Sequence, residues 1–139
     1  MNLERAIEIA VQAHKGQIDK GGSAYVLHPI RVMMACSNEI SKIVGILHDV
    51  VEDSDWTFAM LEKEGFSANM LAALDSVTER NGESYDDFVA RAAANPISKE
   101  VKIADIKDNM DLTRISSPTQ KDYDRIAKYK KSLAFLEGN

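Results

Sequence analysis

The sequence predicts an all-α fold of about seven or eight helices, and three observations carry that expectation. Apolar residues recur three and four positions apart through nearly the whole chain, which is the spacing of helices buried along one face. No stretch alternates apolar and polar residues as a half-buried strand does. The periodic segments are separated by short breaks marked by Gly, Pro, Ser or Asn rather than by long linkers. With 139 residues, no repeat and no low-complexity tract, the chain reads as one domain over 1–139.

Taken in order, Leu3, Ala6, Ile7, Ala10 and Ala13 form the inner stripe of a first helix. His14 falls at its end, where an imidazole interacts with the helix dipole. From Lys15 to Tyr25 the pattern lapses around Gly16, Gly21 and Gly22, the mark of a loop. His28-Pro29 opens a second helix, because proline suits a first turn. Ile40, Ile43, Val44 and Leu47 define a third that runs into His48-Asp49. Thr57 is the expected N-cap of a short helix ending near Gly65, and Ser67 caps the next, with Met70, Leu71, Leu74 and Val77 inward. After an Asn81-Gly82 turn, Ser84 caps a helix carrying Tyr85, Phe88, Val89 and Ala92, which Asn95-Pro96 closes. Ser98 starts another helix through Val101, Ile103 and Ile106, ending before Ser116-Ser117-Pro118. A last packing helix is expected over about 118–136.

Composition narrows the function classes. The formal net charge is −5, which argues against a general nucleic-acid surface, since such surfaces need a basic face. No apolar run is long enough to span a membrane, and the N-terminus lacks the basic start and apolar middle of a signal peptide, so a cytoplasmic location is expected. Cys36 is the sole cysteine, which excludes an intrachain disulfide and a thiolate zinc cluster. It lies in the apolar run VMMACS, where core packing is its expected role.

Chemistry concentrates in two places. GILHDVVED puts His48, Asp49, Glu52 and Asp53 within six residues, directly after an apolar helix. If the helix continues, His48 shares a face with Glu52, and Asp49 with Asp53. Charge carried into an apolar setting needs a partner, and a cation is an economical one. The second place is VKIADIKDNM. Asp105 stands between Ile103 and Ile106 on an apolar face, with Asn109 one turn later. Asp108 and Asp111 read as ordinary solvated acids. Imidazole nitrogens with carboxylate oxygens suit a divalent ion such as Mn²⁺, Fe²⁺ or Zn²⁺. Two acids as close as Glu52 and Asp53 are expected to drive each other's pKa apart, leaving one able to act as an acid.

Three segments in order, AHKGQIDKGGSAYVLHPIRV, GILHDVVEDSDWT and VKIADIKDNMDLTR, resemble the hydrolase domain of the RelA/SpoT family, and particularly its small stand-alone members. The resemblance covers roughly 4–114. It implies an HD-type helical domain in which His28, His48, Asp49 and Asp105 hold one divalent ion, most commonly Mn²⁺. Glu52 and Asp53 would then be the catalytic acids, and Lys20, Tyr25 and Asn109 would lie near a phosphorylated nucleotide. The implied activity is removal of the 3′-pyrophosphate from guanosine tetra- or pentaphosphate. The match departs at Asp19, where the family has an arginine beside the loop lysine. It departs again at Leu112, where the long members have threonine, and at Asp108, where His or Tyr is more usual. Two alternatives therefore stay open: a phosphatase or pyrophosphatase acting on another nucleotide such as NADPH, and a nucleotide sensor without turnover. Oligomeric state is not legible.

Overall fold

The computed structural model describes residues 1–138, and among these the chain forms nine helical segments and no extended strand. They are α1 (Leu3–Ala13), α2 (Leu27–Ala35), α3 (Glu39–Leu47), α4 (Val50–Asp53), α5 (Phe58–Lys63), α6 (Ala68–Ser76), α7 (Tyr85–Ala93), α8 (Pro96–Asn109) and α9 (Gln120–Leu136). The count exceeds the seven or eight expected because α3 stops at Leu47 and a separate single turn, α4, follows after His48 and Asp49. The loop before α2 holds an isolated antiparallel bridge between Ile18 and Ala24.

Side-chain caps explain most helix starts. Asn2, Asn38, Thr57, Ser67 and Ser84 each accept a hydrogen bond from a backbone N–H of the first turn. Such caps satisfy donors that have no partner within the helix, at about 1 kcal/mol each. Asn95 belongs to the same set. It does not close α7 but caps α8, its Oδ1 accepting from Ile97 N and Ser98 N, with Pro96 at the first helical position. Ser98, expected at the start of α8, is its third residue, and its hydroxyl donates to Ala73 O on α6 at 2.6 Å. The last helix begins at Gln120 rather than Pro118, because Thr119 and Asp122 form a capping box there.

The core lies around α3 and α8. α3 packs on α1, α2, α6 and α8, and α8 also meets α2, α6, α7 and α9. Ile9, Val32, Val44, Ile46, Leu47, Leu74 and Val101 are fully buried between these helices, each large aliphatic side chain contributing about 2 kcal/mol. Cys36 is buried here as the sequence predicts, its thiol directed at Val32 O. Gly45 lets α2 approach α3: a Cβ on it would sit 3.3 Å from Cys36 Sγ and 3.5 Å from Met33 Cα. A smaller cluster of Val89, Ile106 and Leu136 fastens α9 to α7 and α8, with Tyr129 and Leu133 packed against it. No described helix is long and apolar enough to cross a membrane.

Candidate metal centre and adjoining cleft

Three helix segments deliver the centre. His28 comes from the first turn of α2, His48 and Asp49 from the break between α3 and α4, and Asp105 from the middle of α8. At the break Asp49 adopts φ −104° and ψ −3°, so the two neighbouring residues are released from a regular helical ladder. His28, His48 and Asp49 present ligand atoms within 4.8 Å of one another. Asp105 Oδ1 lies 2.9 Å from His28 Nε2 and 3.3 Å from His48 Nε2, while Asp49 Oδ2 is 3.1 Å from His48 Nε2 and 3.7 Å from His28 Nε2. The four residues expected from the sequence thus converge on one point.

The surroundings orient each of these groups. His48 Nδ1–H donates to Gly45 O at 2.7 Å, which directs Nε2 toward the carboxylates. That Nε2 is buried and has no hydrogen-bond partner among the described residues, although two carboxylates lie close by. His28 Nδ1–H donates to Asp108 Oδ2 at 2.7 Å, leaving Nε2 on the same side as His48. Asp49 Oδ2 accepts from the Tyr25 hydroxyl at 2.5 Å. Asp105 Oδ2 accepts from Lys102 Nζ at 3.0 Å, and its Oδ1 from Asn109 Nδ2 at 3.0 Å. A buried imidazole lone pair without a donor, beside two carboxylates that are held from behind, fits a divalent cation. A carboxylate–histidine pair such as Asp108–His28 is the usual support for an imidazole that ligates a metal.

Electrostatics follow from this crowding. Burial alone would lower the imidazole pKa values, but the Asp49, Asp105 and Asp108 carboxylates outweigh it and raise His28, and raise His48 well above the ordinary value. Burial would raise Asp105, yet Lys102 and the two imidazoles hold it well below the usual carboxylate range. Glu52 moves the other way. Burial pushes it to about 7, with Asp49 and Asp53 adding to the rise against the backbone N–H of Glu79, which Oε1 accepts. Asp53 is raised by burial and by Asp49. The divergence expected between Glu52 and Asp53 is thus a rise of both, the larger at Glu52.

Two cavities meet at this centre and share Tyr25, His28, Asn109 and Tyr129. One, of about 320 Å³, holds His48, Asp49, Asp105, Glu52, Lys102 and Lys128. The other, of about 310 Å³, runs between the loop before α2, the segment after α8 and α9, past Asp19, Lys20, Arg31, Leu112, Arg114 and Arg125. Glu52 lines the first cavity; Asp53 lines neither. Lys20 stands at the rim of the second and is paired at 3.3 Å with Asp122 of α9.

Several expectations are corrected. Asp108 is not a solvated acid: its side chain is 12% exposed and meets His28, Arg31 and Arg114. His14 stands at the C-terminal end of α1 as the sequence predicts and is buried there, its Nδ1 pairing with Gln17 Oε1 at 2.8 Å. Asp19 lines the second cavity, but its carboxylate is engaged within its own loop. Its Oδ1 accepts from the backbone N–H groups of Gly21 and Ser23, both at 2.9 Å, and so folds the loop. Sequence reasoning missed Lys102, whose spacing of three from Asp105 is a visible signal on a helix. It also missed Arg31, Arg114, Arg125, Lys128 and Tyr129, which line the cavities from distant parts of the chain.

No family model matches the chain. It is 33% identical over 143 residues to a guanosine-3′,5′-bis(diphosphate) 3′-pyrophosphohydrolase of Borreliella burgdorferi, covering 91% of this chain and 21% of that protein. A protein of the same name from Aquifex aeolicus is 28% identical over 120 residues, covering 78% of this chain and 17% of that protein. A probable GTP pyrophosphokinase of Mycobacterium leprae is 30% identical over 128 residues, covering 84% and 16% respectively. The chain spans about a fifth of the length of the curated relatives it matches. A solved structure described as a metazoan ortholog of SpoT that hydrolyses ppGpp superposes with a TM-score of 0.80 at 25% identity, covering 96% of this chain and 84% of that one. By sequence over 91% of its length in one relative, and by helical architecture over 96% of its length in the solved structure, the chain is similar to SpoT-type proteins.

Proposed function

We propose that the protein, acting as one unit over 1–139, is a metal-dependent phosphohydrolase that removes the 3′-pyrophosphate from guanosine tetra- or pentaphosphate in the cytoplasm. The observation that carries this reading is the convergence of His28, His48, Asp49 and Asp105 beside the raised carboxyl of Glu52, at the mouth of a second cavity with room for a nucleoside. The names of the relatives supply the substrate class.

His28, His48, Asp49 and Asp105 would hold one divalent ion, and Mn²⁺ is the metal we propose for this mixed nitrogen and oxygen set. When bound, such an ion polarises a phosphoryl oxygen and makes a nearby water a better nucleophile. The remaining work falls to the chain's own groups. Glu52, with its pKa near 7, can hold a proton at neutral pH and give it to the departing ribose oxygen. Asp53 completes the acidic pair from outside the two cavities, its charge helping to keep the proton on Glu52. Tyr25 and Asn109 steady Asp49 and Asp105 by direct hydrogen bonds and face the substrate between the two cavities. Lys128 lines the phosphoryl side, and Lys20 stands at the rim of the other.

The test is pyrophosphate release, with and without Mn²⁺, from guanosine tetraphosphate, NADPH, common nucleoside phosphates and a simple phosphomonoester. Wild type should release pyrophosphate from guanosine tetraphosphate only with metal. Asp49→Ala should lose at least about a hundredfold in rate. Metal-dependent turnover of NADPH alone would move the specificity, and no turnover of any substrate would leave nucleotide binding as the function.

A further inference from the structure

Arg31 lies on α2, one turn beyond His28. Its Nε donates to Asp108 Oδ1 at 2.7 Å, and neither Nη has a hydrogen-bond partner among the described residues. Its side chain is 32% exposed and lines the cavity beyond the metal centre. Asp108 is itself pinned by His28 Nδ1 at 2.7 Å and by Arg114, whose Nη2 donates to the Asp108 carbonyl at 2.8 Å. A guanidinium anchored at Nε to so fixed a carboxylate is a flat plate with one edge held and the opposite edge available.

The charge around it favours a flat ligand over an anion. The cavity contains as many acids as bases: Asp19, Asp108, Asp111 and Asp122 against Lys20, Arg31, Arg114 and Arg125. Each acid is already engaged, Asp19 with backbone N–H groups, Asp111 with Thr113 and Arg114, and Asp122 with Thr119, Lys20 and Arg125. The rest of the wall includes Ile18, Leu112, Ile115 and Tyr129. A phosphate finds no surplus positive charge there, whereas an aromatic ring finds apolar walls and a planar cation.

We propose that Arg31 is a specificity-determining residue whose outward Nη–H edge lies in the plane of the substrate's nucleobase and donates to the two adjacent acceptors of a guanine. This rests on the reading of the chain as a nucleotide hydrolase. The two Nη–H donors of a guanidinium form a fixed fork that a lysine ammonium does not offer, and a guanine presents two adjacent acceptors where an adenine presents an acceptor and a donor.

The experiment compares wild type, Arg31→Ala and Arg31→Lys. Calorimetry measures binding of guanosine tetraphosphate and of its adenosine counterpart, and turnover is measured beside it. Melting temperature and Mn²⁺ affinity report on the fold and on His28. Both variants should bind guanosine tetraphosphate about ten- to a hundredfold more weakly, should discriminate less between the two bases, and should keep wild-type Mn²⁺ affinity. Rescue by lysine would assign the effect to charge and overturn the proposal. So would unchanged binding in both variants, or a loss of Mn²⁺ affinity that accounts for the weakened binding. Wild-type binding without turnover would remove the hydrolase reading yet leave the Arg31 comparison decisive through affinity. A wild type that binds neither nucleotide would end both.

Discussion

At the residue scale, the most informative group is Glu52. Burial, with Asp49 and Asp53 adding to it, raises its carboxyl from 4.5 to about 7. A carboxyl raised in the folded state binds its proton more tightly there than in the unfolded chain. Stability therefore falls as pH rises from about 4.5 through about 7. Glu52→Gln keeps an acceptor for the Glu79 N–H and removes the charge. In metal-free protein the variant and wild type should be equally stable at pH 4.5. At pH 8 the variant should be more stable, by about 1 kcal/mol, because the carboxyl keeps contact with water and screening trims the full effect. Denaturant unfolding at the two pH values checks this, and a wild type that gains on the variant at pH 8 would contradict it. The same comparison shows what the sequence disclosed. Glu52 and Asp53 were visible as an acidic pair after an apolar helix. That Glu52 rises furthest depends on its burial in the folded chain, against which the Glu79 N–H, 27 positions away, works in the opposite sense. Asp108 was misread for the same reason, since its partner His28 is 80 positions distant.

At the scale of elements, the caps were legible because a side chain two or three residues from the helix start reports a local hydrogen bond. Thr57, Ser67 and Ser84 cap where the sequence predicts. The break between α3 and α4 was not legible, because IVGILHDVV carries no proline or glycine at the break itself. It matters because it turns His48 and Asp49 toward one point. The loop between α1 and α2 is likewise positioned by contacts far along the chain. A Cβ built on Gly21 would fall 2.3 Å from Arg114 O, a backbone atom that cannot swing aside. Glycine there lets the loop carrying Lys20 close against the segment carrying Arg114, and the two form one wall of the nucleoside cavity. Gly21→Ala should therefore cost about 1–3 kcal/mol if the loop stays in place. If the loop retreats, the cost should appear instead as a raised KM and as faster proteolytic cleavage near Lys20. Unchanged melting temperature together with unchanged KM would show that the close approach has no consequence.

At the scale of the whole molecule, the four candidate ligands come from positions 28, 48, 49 and 105, on α2, the α3–α4 break and α8. An unfolded chain does not present them together, so cation binding adds to folding stability by mass action. The pH dependence of that gain follows from the imidazoles. The Asp49, Asp105 and Asp108 carboxylates override burial and raise both His28 and His48. In metal-free protein each imidazolium then contributes stability that is complete below the ordinary histidine pKa and is lost as pH rises through the folded value. A cation needs these nitrogens neutral, so it must displace their protons. At pH 7, Mn²⁺ binding should release protons, read as the difference in calorimetric heat between buffers of unlike ionisation enthalpy. The increase in melting temperature on adding Mn²⁺ should be larger at pH 8 than at pH 6, because protons compete less for the two imidazoles. Equal increases at both pH values, with no proton release, would mean that the cation is held elsewhere, since no set of ligands containing His28 and His48 can bind it without that exchange.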